Sequence, residues 1–430
     1  MSSIVGLWKK VKEIWRRVFA VGEIEESRVL YMAGWVLLLG WFLEFSTWYR
    51  YADFTVNAVQ ENRHLCWPFF QNCGDWYFLT QIPLGSSHNL VYALLFGVLV
   101  AASAAYAARR FVLAHVLFAL LFVSELCVMS MAMRLAVNYW YFHALYAVLF
   151  LFATNKLLFL RIGVILLYFF SGVLKLNEGW LQGAYFTSLQ EGLLFIPDAL
   201  IPVATNAVIG MELVLVWFLL HPRRVVRLVV VGVLSVFHVY SAVYVGFTYP
   251  SVVLPMLLAL FLFDERHHGA WWPLRKVGVG MGILTLFTLL HVVAYAMPGD
   301  ARITGEWNRL RMYMFEANYQ CVSRAVFLYE DGQTDERVSE THLANQRCDP
   351  YAHWFYFKKE CARDNDLRAI AWTYDTSING SPYMRIVDEQ DACALSYSAW
   401  HHNHWIKLLG REEVELTGVP EKNTYGYPFR

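Results

Sequence analysis

The stretch Arg161–Gly183, RIGVILLYFFSGVLKLNEGWLQG, decides the class of this chain. From Ile162 to Leu174 its side chains are hydrocarbon or aromatic apart from Ser171, and the apolar run extends over 158–176, enough residues to cross a bilayer's hydrocarbon as a helix. Lys175 stands near the end of that run. An ionisable group within a membrane span is expensive, so Lys175 reads first as a functional candidate. The competing reading is an ammonium that snorkels to the nearby interface.

Composition agrees with a membrane protein. Of 430 residues, 57% are hydrophobic, 17% aromatic and only 16% charged, with a mean hydropathy of +0.37. Soluble domains carry about a quarter charged residues. The net charge is zero, and neither a basic excess, a phosphate-cradling glycine loop nor a dinucleotide fingerprint is present. Nucleic acid is therefore excluded as an expected partner; the lipid bilayer is the first one.

Working outward, apolar runs over 29–48, 89–107, 112–131, 140–153, 158–176, 206–220, 226–245, 251–263 and 277–296 predict about nine transmembrane helices. The expected fold class is a mainly α membrane protein: a multi-span helical bundle followed by a small disulfide-assisted β-rich domain. Three regions follow, 1–26 as an amphipathic N-terminal helix, 27–297 as the transmembrane domain and 298–430 as the β-rich domain. The first has Ile4, Leu7, Val11, Ile14 and Val18 at helical spacing among Lys9, Lys10, Lys12, Arg16 and Arg17, with no cleavable signal pattern. That basic segment puts the N-terminus in the cytoplasm, and strict alternation puts the last domain outside. Runs over 324–329, 367–374 and 383–387 read as strands, with turns at Asp331-Gly332 and Asn379-Gly380.

Six of the seven cysteines, Cys66, Cys73, Cys321, Cys348, Cys361 and Cys393, fall on the expected oxidising side, where disulfides persist. Counting leaves their connectivity open. Cys127, within a span, reads as a small buried hydrophobe.

Within the spans, Asn138, Lys175, Glu212 and His238 could converge. A lysine in low dielectric can serve as a base, and Glu212 or His238 could hold it or carry its proton away. His238 also has the simpler reading of an interhelical hydrogen-bonder. Glu44 reads as interfacial and Glu125 as a partner of Arg134. The run His401-His402-Asn403-His404 reads as a surface or folding element, because neighbouring histidines splay apart and no spaced ligand set completes it, so no metal is expected. His267-His268 with Trp271-Trp272 reads as an interfacial belt, and Asn379-Gly380-Ser381 matches a glycosylation sequon.

The segment Phe170-Ser171-Gly172-Val173-Leu174-Lys175-Leu176-Asn177-Glu178-Gly179-Trp180-Leu181-Gln182-Gly183 resembles the lysine segment of the vitamin K-dependent gamma-carboxylase family and its bacterial relatives with the HTTM membrane domain. Further similarity lies in Phe237-His238 with the stretch to Leu254, in Cys66-Trp67-Pro68-Phe69, in Val326 to Thr334 with its Tyr329-Glu330-Asp331-Gly332, and in Ser377-Ile378-Asn379 with Arg385-Ile386-Val387-Asp388. The likeness covers nearly the whole chain, while the long C-terminal region of animal carboxylases mostly has no counterpart.

The resemblance implies a lyase-type enzyme that oxygenates a vitamin K hydroquinone or menaquinol with O2. The strong base so formed abstracts a γ-proton from glutamate in a peptide or protein, CO2 adds to the carbanion, and the quinone leaves as its epoxide. Lys175 takes the place of the base that deprotonates the quinol; Glu212 and His238 match an acidic position and the histidine of the Phe-His pair. The family's Asn-His pair stands here as Asn138-Tyr139-Trp140, with His143 about one turn further on as substitute, and its lysine pair as Leu174-Lys175. The implied catalytic set is Lys175, His143, His238 and Glu212, the implied quinol contacts Asn138, Trp140, Trp180 and Tyr249, and the implied disulfide Cys66 to Cys361. The expected location is a bacterial inner membrane with the last domain periplasmic or extracellular. The alternative is a non-catalytic membrane protein that binds a lipid, a quinone or a partner. A proton-coupled transporter fits less well, since the remaining halves of spans five and seven are almost wholly apolar.

Overall fold

The computed structural model describes residues 2–50, 64–73, 87–135, 138–190, 192–244, 246–263, 278–293, 295, 298–307, 317–341, 348–408 and 413–416. The helices, in chain order, are α1 Ser2–Val18, α2 Val21–Glu26, α3 Arg28–Arg50, α4 Ser87–Ala107, α5 Phe111–Met131, α6 Asn138–Phe152, α7 Lys156–Leu174, α8 Glu178–Leu181, α9 Ala184–Thr187, α10 Ile201–Leu213, α11 Arg224–Tyr244, α12 Thr248–Phe261, α13 Gly278–Val293, α14 Ala301–Thr304 and α15 Pro350–Arg363. A 3-10 segment, Leu215–Leu220, continues from α10. The strands are β1 Tyr319–Tyr329, β2 Thr334–Thr341, β3 Leu367–Ile378, β4 Tyr383–Glu389 and β5 Glu413–Val414.

Among the described residues, six helical stretches are long and apolar enough to cross a membrane, which fits an integral membrane protein: Arg28–Arg50, Asn89–Ala107, Phe111–Ser130, Lys156–Leu174, Asp198–Leu220 and Arg224–Val243. This corrects the expectation of nine. Along the apolar runs at 140–153, 251–263 and 277–296, the described residues form the shorter helices Tyr139–Phe152, Thr248–Phe261 and Gly278–Val293. At 1.5 Å per residue, helices of 14 and 16 residues reach only about 21 and 24 Å, short of the roughly 30 Å hydrocarbon core. Hydropathy measured the apolarity of these runs correctly and overstated their reach.

The chain divides into two compact units, Met1–Phe169 with Val214–Leu289, and Phe170–Leu213 with Leu290–Arg430. In the first, α3 packs against α4, α6 and α12, and α5 against α4 and α6. Its Gly34 faces the Tyr106 hydroxyl, which donates to the carbonyls of Leu30 and Tyr31; a Cβ at Gly34 would lie 2.2 Å from that oxygen. The Glu23 carboxylate accepts from the Asn155 and Lys156 amides at 2.9 and 2.7 Å, placing a negative charge on the positive end of the α7 dipole. The expected amphipathic helix is α1: Trp15 donates to His115 at 3.2 Å, while Val11, Ile14 and Val18 lie exposed. Cys127 is exposed on α5 rather than buried, because it falls on the same outward face as Val123 and Leu126.

The second unit carries the antiparallel sheet, in the order β2-β1-β3-β4-β5. The predicted strand at 324–329 is the C-terminal part of β1, those at 367–374 and 383–387 are the N-terminal parts of β3 and β4, and the two predicted turns join β1 to β2 and β3 to β4. Helix α15 packs against β3 and was not anticipated from sequence. Its start is well specified: the Asp349 side chain accepts from the Tyr351 amide, and Pro350 occupies the first turn. Trp354, Phe355 and Phe357 turn inward, where Phe357 meets Trp372 at 5.2 Å between ring centroids. Arg385 on β4 grips the fully buried Asp375 of β3 with two hydrogen bonds of 2.9 and 3.2 Å.

The six paired cysteines form Cys66–Cys73, Cys321–Cys348 and Cys361–Cys393, with Cα separations of 5.5, 5.8 and 5.8 Å. Those distances suit a disulfide. They replace the Cys66 to Cys361 pairing implied by the family resemblance, since each of those two sulfurs is already taken by a partner nearer in the chain.

Candidate functional site

Lys175 lies one residue past the end of α7, where the helix tightens: the Lys175 amide donates to Gly172 and the Leu176 amide to Val173. Its ammonium does not snorkel. The side chain is buried, and Nζ donates to both oxygens of Glu212 on α10, at 3.0 and 2.7 Å, to Ser171 Oγ at 2.7 Å and to the Ser171 carbonyl at 3.2 Å. Ser171 Oγ in turn donates to Glu212 Oε1 at 3.2 Å. The indole of Trp180 covers the amine at 5.2 Å from the ring centroid, a cation–π arrangement. Glu212 is buried as well, so the pair is charge-balanced within apolar surroundings.

The local sequence builds this arrangement residue by residue. Ser171 precedes Lys175 by one helical turn and so shares its face. Gly172 lets α10 approach, for a Cβ there would lie 2.9 Å from Leu213 and 3.0 Å from the Glu212 Cβ. Asn177 caps α8 by accepting from the Trp180 amide, which fixes the indole over the amine. Gly179 meets the side chain of Asn379, where any Cβ would come within 2.0 Å of Nδ2. Gly183 adopts φ of 79° against Ile201 and Pro202, a conformation and a fit open to glycine. The string after Lys175 is thus spent on positioning the amine and seating this segment against the hairpin turn of the sheet. Asn318 adds a second tie there, donating to Ser188 Oγ at 2.8 Å.

The other expected site residues belong to the first unit. His238 on α11 is fully buried; its Nε2 pairs with the Tyr168 hydroxyl, and Nδ1 has no hydrogen-bond partner among the described residues. Tyr249 packs between it and Phe142, at 5.5 and 5.7 Å. Trp140 is buried beside Tyr139 and Trp48. Asn138 begins α6, and its side chain lies outside the described residues, as do the side chain of Arg134 and the loop holding His267, His268, Trp271 and Trp272.

His143 on α6 joins two acids that the sequence reading had placed elsewhere. Its Nε2 donates to the Leu37 carbonyl at 3.0 Å, while Nδ1 faces Glu125 Oε1 at 3.4 Å and Glu44 Oε2 at 3.5 Å. Glu44 is fully buried rather than interfacial, and Glu125 accepts from Trp41 Nε1 at 2.8 Å. Gly40 makes room for this grouping: a Cβ at that position of α3 would lie 2.2 Å from the His143 ring, a close approach that only the packed helices reveal. At the histidine-rich run, His402 and Asn403 bond Glu306, which agrees with a folding role. Asn379 accepts from the Asn318 amide through its side-chain oxygen, so the sequon asparagine is occupied in the fold.

No protein-family model, curated protein or solved structure matches this chain. The functional reading therefore rests on the residues themselves.

Proposed function

We propose that this chain is a membrane enzyme that deprotonates a lipid-soluble hydroquinone, of the vitamin K or menaquinone type, with the Lys175–Glu212 pair as proton acceptor. The observation that carries the reading is the amine held 2.7 Å from Glu212 and roofed by Trp180 inside apolar surroundings. A buried ammonium–carboxylate pair and the corresponding amine–carboxylic acid pair have the same net charge, so a proton can cross between them without creating an unbalanced charge. In the second form Lys175 Nζ has a lone pair. When it takes the quinol's hydroxyl proton, the ammonium is balanced by the quinolate. Ser171 Oγ remains a hydrogen-bond partner in both forms.

The reduced quinone would supply the electrons for O2, one oxygen atom entering the epoxide and the other leaving as water with the two quinol hydrogens. Carboxylation of a peptide glutamate with CO2 is the further step that the family resemblance brings. The location proposed is a bacterial inner membrane, the N-terminus cytoplasmic and the sheet domain outside.

The test compares membranes containing wild type and Lys175→Ala, given the hydroquinone and air, with chromatographic measurement of the epoxide. Epoxide from wild type and none from the variant is expected; equal amounts overturn the proposal. A second reading, a non-catalytic quinone- or lipid-binding protein, draws on the complete hydrogen bonding of the Lys175 amine. It predicts a quinone that co-purifies without turnover.

A further inference from the structure

The group formed by Glu44, Glu125 and His143 is independent of the lysine site and lies wholly within the first unit. One ligand-capable atom from each residue falls within 4.8 Å of the other two. All three side chains are buried, the two glutamates completely. Neither oxygen of Glu44 has a hydrogen-bond partner among the described residues, although its Oε2 faces His143 Nδ1. Buried carboxylate oxygens normally find donors, so this one is aimed at something further.

The geometry points to a binding site for a divalent transition-metal cation, ligated by Glu44, Glu125 Oε1 and His143 Nδ1. Three observations carry it. First, the separations fit coordination. Ligand bonds of about 2.1 Å in a tetrahedral shell place neighbouring donors about 3.4 Å apart, and His143 Nδ1 stands 3.4 and 3.5 Å from the two carboxylates. A charge-assisted N–H···O bond would instead close to about 2.8 Å.

Second, the histidine can present the nitrogen a metal needs. The 3.0 Å contact with the Leu37 carbonyl holds a proton on Nε2, so a cation that displaces any proton from Nδ1 meets its lone pair facing the acids. Metal-bound histidines characteristically donate their other ring nitrogen in this way. Trp41 does the corresponding work for Glu125, holding Oε2 so that Oε1 is presented.

Third, the charges close. Without an ion, these buried groups reach zero net charge only with two added protons, as with one on a carboxyl and a second on Nδ1; ionising both carboxylates beside a neutral imidazole would leave a double negative charge. A divalent cation neutralises it, and an imidazole nitrogen with carboxylate oxygens suits zinc, iron(II) or manganese(II) rather than a softer ion. The ion would join α3, α5 and α6 at one point, which is the use that Gly40 serves by admitting the His143 ring.

The experiment uses the full chain purified in detergent, stripped with a chelator, loaded with Zn2+, desalted and analysed for metal. Wild type is expected to retain one zinc per chain more than Glu44→Gln, whose near-identical shape preserves packing. Equal retention by the two, or none by wild type, overturns the proposal. Should Glu44→Gln fail to fold, Co2+ loading of wild type decides: visible bands of low-coordinate cobalt with nitrogen and oxygen donors support the site, and their absence overturns it. Neither readout depends on catalysis, so the result stands apart from the fate of the quinol proposal.

Discussion

Replacing Lys175 by methionine removes the amine while keeping most of the side chain's length. Glu212 then loses contacts of 3.0 and 2.7 Å and keeps Ser171 Oγ at 3.2 Å as its remaining donor, inside a region shielded from water. Stripping one partner from a buried pair costs about 3–5 kcal/mol, because the charge left behind has lost its compensation. Glu212→Leu, the converse change, strands the ammonium on Ser171 and costs a similar amount. The double variant Lys175→Met/Glu212→Leu removes both charges and fills the space with hydrocarbon, an exchange that is often neutral or better. The cycle should therefore be strongly non-additive, with the double variant more stable than either single and a coupling of about 3 kcal/mol or more. The assay is SDS titration in mixed micelles followed by far-UV circular dichroism. Additive losses, or single variants as stable as wild type, would refute the bidentate buried pair. All three variants should lack quinol turnover, whatever their stability.

Three further outcomes are expected. Gly40→Ala sets a methyl 2.2 Å from the His143 ring and should cost about 1–3 kcal/mol in the same titration, whereas Gly97→Ala, which meets nothing within 4 Å, should cost nothing. Peptide mapping without reduction should recover Cys66 with Cys73, Cys321 with Cys348 and Cys361 with Cys393; a Cys66–Cys361 peptide would refute the pairing. Partial burial lowers Lys359 on α15 from 10.5 to about 8, so between about pH 8 and 10.5 the unfolded chain binds more protons than the folded one. Stability of the sheet domain should accordingly rise with pH through that window, and Lys359→Met should flatten the rise in apparent melting temperature.

Much of the membrane character was legible because it depends on composition along short runs. The strands were legible for the same reason: Ala325 to Tyr329 is a short apolar and aromatic run closed by the Asp331-Gly332 turn. Helix α15 carried a readable start in Asp349-Pro350, but its inward face, Tyr351, Trp354, Phe355 and Phe357, is aromatic and so resembles strand composition. At the candidate site, the one-turn spacing of Ser171 and Lys175 could be read, and Glu212 stood out as an acid among apolar neighbours. Their meeting could not be read, since it depends on α10 closing onto Gly172. The grouping of Glu44, Glu125 and His143 was hidden for a similar reason. Each sits on a different helix, and local sequence says nothing about which helices pack together.

Each disulfide joins one of the six paired cysteines to the next of them along the chain, with separations of 7, 27 and 32 residues. A chain threaded across a membrane from its N-terminus can therefore be oxidised in order of emergence, each pair closing before the first cysteine of the next arrives. A simple thiol oxidase would suffice for that sequence, and no disulfide isomerase would be needed to correct it. The same connectivity means that the bonds limit only local loops, so a host that expresses this protein needs an oxidising compartment for these segments and little other help with its cysteines.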